Sequence, residues 1–129
     1  MTVHVRWLRE NQIIEAIYEG DHSVEDSIYA CETFSQMLQA AADHPIHILI
    51  DTEKIGKVTF TPSDLFNPTV TGFFRRPNLV SIYAFGVSKN HLTFFSVLVS
   101  VVKHIGVSKS IKIFPTRQEA LAEIESQLE

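Results

Sequence analysis

An α/β domain on one mixed sheet of about five strands, in the order β-β-α-β-α-β-α-β-α, is the fold this sequence predicts. Two observations carry it. Short apolar runs over residues 46–50, 79–86 and 111–114 are each followed by a helix-like segment, and strand–helix alternation implies crossover connections and parallel neighbours. The first two strand-like runs are instead joined by a short polar turn, which favours an antiparallel hairpin.

Residues 3–8 alternate, with Val3, Val5 and Trp7 on one side and His4 and Arg6 on the other, the period of a half-buried strand. Arg9, Glu10 and Asn11 form the turn, and residues 12–19 read as the second strand. Ser23 and Asp26 then make a loose capping box with Asp in the Glu/Gln position. The helix they open, over about residues 24–43, carries Ile28, Cys31, Phe34, Leu38 and Ala41 or Ala42 on one stripe and ends at His44-Pro45. In the strand after it, Ile46, Ile48 and Ile50 point one way, and His47 and Leu49 the other.

Residues 52–61 read as a polar loop. Thr61, Pro62 and Asp64 then read as cap, first helical residue and first-turn acid of a helix over about residues 63–75. Pro68 and Gly72 interrupt it, so two short pieces meeting at Asn67-Pro68 suit the sequence equally. The helix over residues 90–105 is apolar on most sides, and its expected stop is Gly106, with Lys103 and His104 in the last turn. The closing helix starts from a Thr116/Glu119 capping box and buries Ala120, Leu121, Ile124 and Leu128.

A chain of 129 residues makes a single domain, 1–129, with a core of its own. The net charge of −4, with no basic stripe beyond Arg75-Arg76, argues against nucleic acid. Cys31 is the only cysteine and sits mid-helix, so no internal disulfide forms, and a buried structural thiol in a reducing compartment is expected. The apolar run over residues 92–102 is too short to span a bilayer, which takes about 20 residues. The N-terminal residues lack the apolar core of a signal peptide, so a cytoplasmic location is expected.

The opening Val5-Arg6-Trp7-Leu8 hairpin, Pro45 to Asp51, Phe85-Gly86 followed by Asn90, and Ile113-Phe114-Pro115-Thr116 with Glu119-Ala120-Leu121 together resemble the SpoIIAA-like group of the STAS superfamily. The resemblance covers nearly the whole chain. It implies a mixed sheet flanked by helices and a role in protein contact, as in anti-sigma-factor antagonists. SEC14-type lipid-carrying relatives share the architecture. The antagonists switch by phosphorylation of a serine at a helix start, in an Asp-Ser-Ser-Gly-like turn. The corresponding stretch here is Phe60 to Leu65, which offers Ser63 and Thr61 as candidate hydroxyls but lacks the glycine and the paired serines. A structural role, with Thr61 capping and Ser63 in the first turn, outweighs a phosphoswitch.

No residue set reads as an active site, so no catalysis and no cofactor are expected. His4, His44, His47, His91 and His104 have no metal-ligand spacing. Asp51 stands at a central strand's C-terminal end, where open α/β sheets bind ligands, although an aspartate there more often closes a turn. The phenylalanines Phe66, Phe73, Phe74, Phe94 and Phe95 exceed what one side of a helix needs to bury. Their blander use is mutual packing. The sharper one is a partner surface, with a homodimer the leading expectation for a non-catalytic binding module. The alternative is a groove for a hydrophobic small molecule or lipid.

Overall fold

The elements are β1 (Thr2–Arg9), β2 (Ile13–His22), α1 (Val24–Ala40), β3 (Ile46–Val58), a 3-10 helix (Pro62–Phe66), α2 (Pro68–Phe74), β4 (Leu79–Phe85), α3 (Lys89–His104), β5 (Ser110–Phe114) and α4 (Arg117–Glu125). They are seen in a computed structural model that describes residues 2–104 and 109–128. The five strands form one sheet in the order β1-β2-β3-β4-β5. β1 runs antiparallel to β2, and each later neighbour is parallel. This is the predicted mixed α/β sheet. Asn11 turns the hairpin with φ 59°, a left-handed conformation that asparagine tolerates better than most residues.

The alternation along the strands makes two cores. Ile14 and Ala16 of β2, Ile46 and Ile48 of β3 and Ile82 of β4 meet Cys31, Phe34 and Leu38 of α1, Val70 and Phe73 of α2 and Val102 of α3. On the opposite face Ile13, Leu49, Tyr83 and Phe85 pack under Ala120 and Ile124 of α4. Helices therefore cover both faces. Burial of one such large side chain contributes about 1.5–3 kcal/mol. His47 lies on the α4 side, fully buried, with Nδ1 2.7 Å from Ser81 Oγ. A strand histidine is accommodated there by one hydrogen bond.

The predicted capping box forms in full at α1 and by its Thr116 half at α4. The Ser23 N–H donates to the Asp26 carboxylate (2.8 Å), and the Asp26 N–H donates to Ser23 Oγ (3.3 Å). The Glu119 N–H donates to Thr116 Oγ1 at 3.2 Å. α1 stops at Ala40, short of the expected residue 43, because Asn78 reaches across from the approach to β4. Its side-chain amide donates to the Leu38 and Ala41 carbonyls at 2.9 and 3.0 Å.

Two other boundaries differ from the sequence reading. Residues 52–58 are not loop: β3 continues to Val58, paired with β2 through Glu19↔Lys54 and His22↔Val58 after a register shift. β4 leaves β3 after Asp51↔Phe85, so this extension has a strand on one side only. The segment over residues 63–75 divides at Asn67-Pro68 into the 3-10 helix and α2, the second of the two arrangements the sequence allowed. The expected stop of α3 at Gly106 lies outside the described residues.

Candidate functional site

α3 is 16 residues long, and among its residues only Val102 is fully buried. Elsewhere it stands off the sheet, above the small and branched side chains Ile82, Ala84, Ile111 and Ile113. A cavity of about 150 Å³ remains between that face, α1, α2, the 3-10 helix and α3. Its walls are almost wholly apolar and include Phe34, Phe60, Phe73, Phe74 and Phe95. An apolar space of this size has room for a benzene-sized molecule.

The polar groups on its lining include a cluster where β2 meets α1. His22 is buried, with Nε2 2.8 Å from Ser27 Oγ. Its ring lies 4.7 Å from that of Tyr18. From His22 an aromatic series crosses to α3: Phe60 at 5.7 Å, Phe94 at 5.3 Å from Phe60, and Phe95 at 5.7 Å from Phe94. These edge-to-face spacings are favourable for rings. Burial lowers the His22 pKa, with the Asp26 charge opposing it, so the imidazole is held neutral. Burial likewise raises the Tyr18 hydroxyl well above the usual range, with the Cys31 charge adding to it. The Cys31 thiol is pushed up to about 12, by burial first and then by the Glu32 charge, which makes it an inert lining group.

The candidate residues are only partly assembled. Phe73 is core, stacked on Phe34 at 5.2 Å, and so cannot meet a partner from its place in the fold. Phe74 and Phe95 are half-buried on the cavity wall, Phe94 is half-buried against Phe60, and Phe66 stands 61% exposed on the 3-10 helix. Asp51 follows His47 and Leu49 on the α4 side, away from these rings. Its carboxylate accepts from the Glu53 N–H at 2.9 Å, within β3, where the strand shifts register against β2.

Thr61 and Ser63 are both exposed and share a 2.8 Å hydrogen bond between their hydroxyls. Thr61 is the N-cap, as expected, and Asp64 bonds back to it. Asp64 does the work, its carboxylate accepting from the Thr61 N–H at 2.7 Å, while the Asp64 N–H donates to the Thr61 carbonyl. His22 and Phe60 were not singled out in the sequence, since an isolated histidine and an isolated phenylalanine at strand ends carry no pattern. Among the described residues no group of three His, Cys, Asp or Glu could hold a metal ion. Among them, too, no helix is long and apolar enough to cross a membrane.

No protein-family model matches the chain, and no curated protein matches it in sequence. Solved structures do match in fold. An uncharacterised DUF3478-family protein with a SpoIIAA-like fold from Shewanella loihica PV-4 superposes with a TM-score of 0.56 at 15% identity, over 95% of this chain and 92% of that one. The anti-sigma factor antagonist SpoIIAA, in its unphosphorylated form, gives 0.54 at 10% identity, over 96% and 98%. The phosphorylated form of the Bacillus cell fate determinant SpoIIAA gives 0.58 at 12% identity, over 95% and 99%. The chain has the SpoIIAA-like fold.

Proposed function

We propose that this chain is a non-catalytic binding module that works through the surface made by α3 and the adjoining 3-10 helix, with a second copy of itself as the partner. One observation carries this reading. α3 is apolar on most sides yet contributes one buried residue, leaving Leu92 46% and Val97 43% exposed, and Phe66 is exposed on the 3-10 helix that α3 contacts. Exposed large apolar side chains on one element and its neighbour are the kind of surface that contacts use. The SpoIIAA structures it matches include an anti-sigma factor antagonist, a protein whose name describes action on another protein, and this agrees with a contact role.

Light scattering at rising protein concentration tests the proposal. Wild-type protein should approach a dimer mass, and Val97→Glu or Phe66→Glu should stay monomeric with an unchanged melting curve, because neither side chain belongs to the core. A wild type that remains monomeric throughout would sink the self-association.

The cavity beneath α3 favours a second reading, in which the module also takes a small apolar ligand. Its almost wholly apolar walls are the supporting observation. Native mass spectrometry of purified protein, or saturable binding of an apolar probe, tests it.

A further inference from the structure

We infer that the groove between α1 and α2 is a docking site for a short acidic segment of a partner protein, whose carboxylates are met by Arg75 and Arg76. Among the described residues none from α3 lines this groove, so the site goes beyond the self-contact and does not depend on it.

Gly72 is the first observation. It is exposed in the interior of α2, and its backbone is not left-handed. A Cβ placed on it would meet nothing within 4 Å. Neither conformation nor internal packing requires glycine there, and glycine inside a helix is less stable than alanine. The missing side chain leaves open space over α2 on the groove lining, where a second backbone can come close.

Charge is the second. Among the described residues the ion pairs engage His4, Arg6, Arg9, Lys112 and Arg117, and neither Arg75 nor Arg76 has an acidic partner. Both line the groove, just past the end of α2. Lys109, the residue before β5, donates to the Arg76 carbonyl at 2.8 Å and adds a third cation at this end. The chain as a whole carries −4, so this is a local reversal of its charge. Neighbouring guanidinium groups repel each other and gain from an anion shared between them. Each offers paired N–H donors that match a carboxylate, the chemistry by which arginine clusters read acidic segments.

The walls fit a peptide better than a lone ion. The groove is open and measures about 560 Å³, and Ser35 and Gln36 of α1 and Thr69 of α2 also line it. Their hydroxyl and amide groups can both donate to and accept from a peptide backbone. Glu32 is the one acid on the described lining, and it pairs with neither arginine. It repels carboxylates along α1, which assigns them to the arginine side.

Fluorescence anisotropy of a labelled oligoglutamate peptide, titrated with the full chain, tests this. Saturable binding that weakens as salt rises is expected, with an oligoglutamine peptide of equal length inert. Arg75→Gln/Arg76→Gln should weaken binding by about tenfold or more and leave the melting curve unchanged, because neither side chain belongs to the core. Lys54→Gln/Lys57→Gln removes the same charge from the exposed end of β3 and should leave the affinity within about twofold. Gly72→Gln should raise the melting temperature, since glutamine is the better helix former, and should weaken the peptide by occupying its space.

Equal losses in the two double variants would reduce the effect to net charge and overturn the site. A Gly72→Gln protein that gains stability and binds as wild type overturns the groove as the seat of the peptide. Failure of oligoglutamate to bind overturns the inference outright. Capture of the chain by phosphatidylglycerol vesicles in place of the peptide overturns it too, and assigns the arginines to a membrane surface.

Discussion

Glu15 is the side chain whose place in the structure differs most from its ordinary habit. It is buried on the α4 side of β2, between Ile13 and Ile17 in the alternation. Arg6 holds one carboxylate oxygen at 2.9 and 2.7 Å, and Arg117 the other at 3.1 and 3.4 Å. Removing one member of a fully buried pair costs about 3–5 kcal/mol. Here both guanidinium side chains reach water, 64% and 45% exposed, so solvent takes up much of the loss. Glu15→Ala should lower unfolding free energy by about 1–2 kcal/mol in urea titration, and loss of Arg117 should produce part of the same effect.

His22 and His47 set the pH response. Burial lowers both pKa values, so each is carried neutral in the fold and charges more readily when unfolded. Their contribution is fully present above the unfolded value of about 6.5 and is lost as pH falls through it toward the folded-state values. The melting temperature should therefore drop between pH 7.5 and pH 5, and the double variant His22→Gln/His47→Gln should show a shallower drop. An equal slope in both proteins would remove the histidines as the cause.

At the scale of elements, short-range signals predicted most of what formed. Ser23 with Asp26 and Thr116 with Glu119 began helices because the atoms that cap lie within three residues of each other. The Ile46-Ile48-Ile50 alternation was legible because burial on each face selects it. The outer half of β3 was not legible. Glu53, Lys54, Gly56 and Lys57 carry no strand pattern, and they extend only because the end of β2 supplies hydrogen bonds along one edge. The end of α1 was hidden for a related reason: its terminator, Asn78, lies about forty residues away in sequence.

At the 3-10 helix Thr61 holds the cap position that its place before Pro62 predicts, and the side-chain bond that closes the cap comes from Asp64. Asp64→Ala should cost about 1 kcal/mol by chemical denaturation. Thr61→Ala and Ser63→Ala, whose hydroxyls bond mainly each other, should stay within about 0.5 kcal/mol of wild type. A larger loss for Thr61→Ala than for Asp64→Ala would reverse the assignment.

Across the whole molecule, strand order follows chain order, and each face receives its cover differently. Three helices, inserted between strands, build the cavity side as the chain proceeds. The opposite face is served by α4 alone among the described residues, with Ile13, Leu49, Tyr83 and Phe85 beneath it. A chain cut after Pro115 keeps every strand and loses that cover. It should bind a hydrophobic dye and sediment as aggregates, while the full chain does neither. A soluble, dye-silent truncation would show that the sheet tolerates a bare face.

A directional hazard during synthesis follows from this placement. Ile13 and Leu49, two of the residues that α4 shields, are made long before it, so the growing chain passes through a stage in which part of the sheet presents an adhesive side to its surroundings. The interval lasts until the final helix emerges and Arg117 reaches back to Glu15. Slowed translation ahead of residue 116 lengthens that interval, and a holding chaperone shortens its consequences.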